Sequence, residues 1–225
     1  MTGSTYFTRN TFGFMSELAD NNDREWFAEN KHRCEAYVKD ASLGFIEDFA
    51  AHLEKLSPHF MATNRSLFRI YRDVRFSKTK SPYKTHAGIH FRHEQSKNAY
   101  APGYYLHLEP GSVFAGMGIW HPKSKALRAI REYIVAEPTT WKRASRGKKF
   151  RDTVELEGDR LSRSPKGFDP QHPLIEDLKW KDFIGVKRLS QSFATSAELP
   201  KELAKVFQIG TPFMRFLCDA LGVPF

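Results

Sequence analysis

His107 and Glu109 stand two residues apart in "APGYYLHLEPG", so a strand through them points both side chains to one face. An imidazole that titrates near neutral pH, set beside a carboxylate, suits general acid and base work. Upstream, "RIYRDVRFSKTKSPYKTHAGIHF", Arg69 to Phe91, holds three arginines, three lysines and two histidines against one acid, Asp73. Arg69 and Arg75, with Lys78, Lys80 and Lys84, are charge-assisted donors of the kind that hold phosphate or carboxylate. A lysine-rich loop that is merely solvated has the same composition.

His86 and His90 form an HxxxH spacing. On a helix it could share a metal, but on a strand the two Cα atoms stand roughly 13 Å apart. A cross-strand set of His90, His107 and Glu109 would offer two imidazoles and a carboxylate. Hydrogen-bonded structural histidines are commoner than ligands, so no metal and no cofactor is assigned. There is no GxSxG, HExxH, GxGxxG or Walker-type phosphate loop, which leaves enzyme identity unspecified.

The elements that must position these residues follow from periodicity. Residues 11 to 56 read as three helices, with "NND" at 21 to 23 as punctuation, Asp23 as an N-cap and Pro58 closing the third. From Phe68 to Phe76 the period changes to two, which predicts a strand with Arg69, Tyr71, Asp73 and Arg75 on one side. Arg72 then falls on the apolar side and needs a buried acidic partner.

Strands are predicted at about 86 to 92, 104 to 109 and 113 to 120, the last two joined by a Pro110-Gly111 turn. A two-residue turn sets Glu109 opposite Ser112, His107 opposite Phe114 and Tyr105 opposite Gly116. Leu108–Val113, Leu106–Ala115 and Tyr104–Met117 then form the core face. Pro122 is placed as the first residue of a helix, and helices are expected around 123 to 135 and 138 to 145. A hairpin at "EGD", 157 to 159, a strand near 183 to 189 and a helix from about 198 complete the chain.

The expected fold is α+β: an antiparallel β-meander with helices packed on one face and helical N- and C-terminal segments, as a single domain over 1–225. The other face gathers His86, Gly88, His90, Arg92, Tyr105, His107, Glu109, Gly116, Gly118 and Trp120. Its glycines leave room either for a ligand against the backbone or for large aromatics. A solvated face is the plain alternative, yet His, Tyr, Trp and Arg suit a pocket better than Lys, Glu and Thr would.

A net charge of +9 favours anionic partners without choosing among them. "WKRASRGKKFR", Trp141 to Arg151, adds six Lys or Arg without an acid and makes nucleic acid the rival partner, although a solvated loop explains that run alone. The two cysteines, Cys34 and Cys218, form no CxxC, and no signal segment or long apolar run is visible, so a cytoplasmic protein without membrane partners is expected.

The stretches "NNDREWF", "FRIYRDVRFSKTKSPYKTHAGIHF", "APGYYLHLEPG" and "PKGFDPQHP" together resemble the domain of unknown function 2461 family, mainly microbial proteins without an established activity. The resemblance supports the fold grouping and supplies no catalytic role. Thr79 stands where many relatives carry an acid, which makes this loop more basic.

From the residues, His107 and Glu109 are the proton-transfer candidates. Arg69, Arg75, Lys78 and Lys84 would fix a small anionic ligand, with His90, Tyr105 and Trp120 walling the pocket. A nucleic-acid track and a scaffold role remain open, as does the oligomeric state.

Overall fold

The computed structural model describes residues 5–75, 79–97 and 101–225. Helices α1 (Arg9–Asp20), α2 (Arg24–Cys34) and α3 (Ala41–Leu56) open the chain. Asp23 caps α2 by accepting from the Trp26 backbone N–H at 2.9 Å, which supplies one donor that the first turn leaves without an acceptor. The second and third helices do not separate as the periodicity implies. A π-helical stretch, Glu35–Asp40, carries α2 into α3 without a break.

Six strands form one antiparallel sheet: β1 (Phe60–Met61), β2 (Ala87–His93), β3 (Gly103–Glu109), β4 (Ser112–Ile119), β5 (Glu155–Glu157) and β6 (Phe183–Leu189), in the order β1-β2-β3-β4-β6-β5. The β3–β4 register is the expected one, with Glu109 opposite Ser112, His107 opposite Phe114 and Tyr105 opposite Gly116. Gly111 takes φ 77°, a left-handed conformation that glycine adopts without a steric penalty, and this fixes the tight turn.

Ile89, Phe91, Tyr104, Leu106, Leu108, Val113, Ala115 and Met117 point to the buried face. Helices cover it: Phe49 of α3 lies 5.0 Å from Phe91, and Phe207 of the helix Leu199–Ile209 lies 4.6 Å from Tyr104, centroid to centroid. The fold is therefore α+β with helices at both ends of the chain. No helix among the described residues is long and apolar enough to cross a membrane.

Several local expectations are corrected. Residues 68–75 form no continuous strand. Leu67 bridges Ile89, the Phe68 N–H reaches the Gly88 carbonyl at 2.9 Å, and the chain then folds back so that Tyr71 pairs with Tyr83. The alternating pattern fails because Phe68 turns onto the polar face, where its ring packs 6.0 Å from Tyr105. Among the described residues Arg72 meets no buried acid; it donates to the Thr79 hydroxyl at 3.4 Å.

Pro122 lies before the helix Ser124–Ala136, whose N-cap is Lys123. Glu155–Glu157 pairs with β6 rather than with residues just past "EGD". The basic run occupies the helices Pro138–Arg146 and Lys148–Thr153, anchored by buried Trp141 and Phe150, so its second half is no loop. The C-terminal helix breaks at Gly210 into Leu199–Ile209 and Thr211–Leu221, where Pro212 in the first turn of the second lacks the N–H a continuous helix would need, and Gly210 lets the chain pack closely on Met117 of β4.

Candidate functional site

On the face away from the helices, β3 presents Tyr105, His107 and Glu109 in a row, as alternate residues of a strand must. The His107 ring stacks on Phe114 of β4, with centroids 4.6 Å apart and planes 14° apart. His86, just ahead of β2, brings its ring to 4.5 Å from His107 on the other strand.

Tyr105 can reach His107 because the neighbouring strands carry glycine. A Cβ on Gly88 would meet the Tyr105 hydroxyl oxygen at 2.5 Å, and one on Gly116 would touch the Tyr105 Cβ at 3.5 Å. Gly88 and Gly116 thus seat an aromatic ring, the second of the two uses the sequence allows, whereas Gly118, at φ 124°, lies against the backbone of Phe183 and Ile184.

The polar atoms form a chain. The Tyr105 hydroxyl lies 3.1 Å from His107 Nδ1, His107 Nε2 lies 3.2 Å from Glu109 Oε2, and the Thr85 hydroxyl donates to Glu109 Oε1 at 2.8 Å. A neutral imidazole has one donor and one acceptor nitrogen. The carboxylate only accepts, so Nε2 carries the proton toward Glu109, and Nδ1 accepts from the Tyr105 O–H.

The electrostatics agree with that assignment. Burial first, then His107, pushes His86 down to about 4 against the upward pull of Glu109, with smaller contributions from Lys84 and Arg72. Burial also lowers His107, against the pull of Glu109. For Glu109 burial acts upward, but hydrogen bonds from His107 and Thr85 outweigh it and hold the carboxyl below its ordinary range. Burial and Glu109 raise the Tyr105 phenol to about 12, so it remains a donor.

Lys84 is half-buried at the rim; its ammonium donates to the Arg69 carbonyl at 2.7 Å, and burial followed by Arg69 lowers its pKa. Neither Lys84 nor Arg72 forms an ion pair with a carboxylate among the described residues. Arg188 sits 5.3 Å over Phe114 but is engaged by Glu157 at 2.8 Å.

The structure brings together His107, Glu109 and Tyr105, with Lys84 beside them. His90 lies one step away: it pairs with Tyr105 across the strands, its ring resting over Gly103. Burial and Arg92 push it down to about 4. His90 and Arg92 border a groove of about 700 Å³ that also touches Arg65 and Ser66.

Other candidates are elsewhere. The Arg69 side chain is exposed, with its backbone carbonyl holding Lys84. Arg75 pairs with Asp73 at 2.6 Å in an exposed turn. Trp120 is 69% exposed, stacks on His121 and lies six strand positions from Phe114, roughly 20 Å away. Lys78 lies outside the described residues. His86 is the partner that the cross-strand metal set misplaced. The β2–β3 register sets Gly88 against His107, so the chain two residues earlier falls beside Glu109.

A family model described as "Conserved hypothetical protein (DUF2461)" matches residues 10–216. The chain belongs to this family. DUF2461 membership thus spans every residue of the cluster, from Thr85 to Arg188. Comparisons with curated proteins and with solved structures give no match.

Proposed function

We propose that this DUF2461 protein binds a small anionic ligand on the open sheet face, with His107 at the end where a proton is exchanged. The observation that carries the reading is the pairing state of the cations. Lys84 and Arg72 act on His86 electrostatically, yet no carboxylate neutralises either among the described residues. Two cations against the single carboxylate of Glu109, beside two neutral imidazoles, favour a negatively charged visitor. The chain from Tyr105 through His107 to Glu109 then offers a proton path within hydrogen-bond reach.

The groove beside His90 and Arg92 would take the body of the ligand. A nucleic-acid track is less well supported, because the basic run of Pro138–Arg146 and Lys148–Thr153 lies in the helical layer, on the other side of the sheet from Lys84.

Thermal unfolding tests the reading. Inorganic phosphate, phosphorylated and carboxylate metabolites, nucleotides and a short oligonucleotide would be compared at fixed ionic strength, since a ligand that binds only the native state raises its stability. A saturable shift from one small anion, reduced in Lys84→Ala and Arg72→Ala, is expected. Equal shifts from every polyanion that vanish with added salt would refute the pocket and favour the phosphate track.

A further inference from the structure

The distances within the cluster carry a second consequence. One ligand atom each from His86, His107 and Glu109 lies within 4.8 Å of the other two. His86 is half-buried, and among the described residues neither of its ring nitrogens has a hydrogen-bond partner. The ring lies 4.5 Å from that of His107, and its nitrogens, unclaimed by the described residues and not sealed from solvent, are available to a ligand.

The surroundings match what metal-binding side chains require. Glu109 offers one oxygen toward the imidazoles, while Thr85 holds the other. His107 offers Nε2, while its Nδ1 faces the Tyr105 hydroxyl. Such partners behind the ligand atoms fix the orientation of ring and carboxylate. Two nitrogens and one oxygen select a borderline first-row ion over magnesium or calcium, which prefer oxygen alone.

We propose that His86, His107 and Glu109 form a site for one divalent first-row transition ion of the zinc or iron(II) class. Three protein ligands leave coordination positions open, as in sites that admit a substrate or water. Lys84 and Arg72 disfavour a bare dication but favour the ion together with an anion. That the open positions receive the anion rests on the function proposed above; binding of the ion does not.

Binding also requires a proton rearrangement. With Nε2 on the metal, the His107 proton must sit on Nδ1, where it donates to the Tyr105 oxygen. In the metal-free protein it sits on Nε2. The tautomer therefore switches on loading, which a purely structural cluster would not do.

The test uses untagged full-length protein, dialysed against EDTA and then freed of chelator. Zinc, and iron(II) under anaerobic conditions, are titrated by calorimetry, with magnesium as the oxygen-preferring control. Saturation by zinc or iron(II) at one equivalent is expected, with affinity at least about 100-fold lower in His86→Ala and Glu109→Gln, and about 10-fold lower in Tyr105→Phe. Melting of each metal-free variant checks that it folds, and histidine ¹⁵N spectra of the wild type should show the Nε2–H to Nδ1–H switch. Undiminished binding in folded His86→Ala and Glu109→Gln, equal binding of magnesium, or no saturable binding of either transition ion would overturn the site. Repeating the anion panel with and without the ion separates the two ideas: an anion shift in the metal-free protein supports the anion reading alone, and metal saturation without an anion shift supports the metal site alone.

Discussion

Replacing Gly88 with alanine should dislodge Tyr105 and disturb the cluster from one strand away. The added Cβ would stand 2.5 Å from the Tyr105 hydroxyl oxygen, 3.0 Å from Phe68 Cδ2 and 3.2 Å from Tyr105 Cε2. All three contacts are too close, and the ring is flanked by Phe68 and Phe114, so it cannot move without disturbing them. Overpacking of this kind costs about 1–3 kcal/mol, against a gain of about 0.4–1 kcal/mol from restricting the unfolded chain. The net loss is about 1–2 kcal/mol, or roughly 2–8 °C in melting temperature for a chain of this size. In a Tyr105→Phe background the closest contact disappears, so Gly88→Ala should cost about 1 kcal/mol less there. Urea denaturation of the wild type, both single variants and the double variant measures this coupling. Additivity within about 0.5 kcal/mol would refute the seating of Tyr105 over Gly88, and with it the path to His107.

Three further outcomes can be checked. Asp182 is buried and accepts from the backbone N–H groups of His121, at φ 49°, and Asp159 at 2.7 and 3.1 Å, so Asp182→Ala should cost about 2–5 kcal/mol in urea melts and Asp182→Asn less. Burial raises the Cys34 and Cys218 thiols to about 11 and 12, which keeps both protonated, so a thiol reagent at about pH 8 should label them only after denaturation. His90 packs against Phe68 and Tyr105, accepts from Arg92 at 3.4 Å and shares its groove with Arg65 and Glu94. Its folded pKa of about 4 lies below the ordinary 6.5, so the unfolded state takes up the proton first as the pH falls. Between about pH 7 and pH 5 the wild type should lose up to about 2 kcal/mol more stability than His90→Gln.

How far the sequence reached depended on how each element is constrained. The Pro110-Gly111 turn allows one pairing of its flanking strands, and so placed His107, Tyr105 and Glu109 on a common face. The short strand expected near 183 to 189 forms as Phe183–Leu189. The β2–β3 connection is longer and sets no register, so His90 was paired with the cluster where His86 belongs.

The strand expected from Phe68 rested on alternation, which reports two faces but not whether a neighbour exists to pair with. Of the described residues 67–75, Leu67 and Phe68 pair with β2, and from Ile70 the chain pairs with residues 82–84. This fold-back brings Arg72 and Lys84 within electrostatic reach of His86, a long-range effect that periodicity cannot express. The polar face was legible as a set of residue types, while its geometry depended on which glycines the rings could cover.

The most direct measurement of the central claim is a histidine ¹⁵N spectrum of metal-free, selectively labelled protein, recorded with and without the small anion that most raises its melting temperature. The resonances of His107 and His86 should move together and saturate with the thermal shift, while those of His32 and His52, on the remote helices α2 and α3, stay fixed. Shifts spread evenly over all histidines, or a saturating thermal shift that leaves His107 and His86 unmoved, would place the ligand elsewhere and contradict the site.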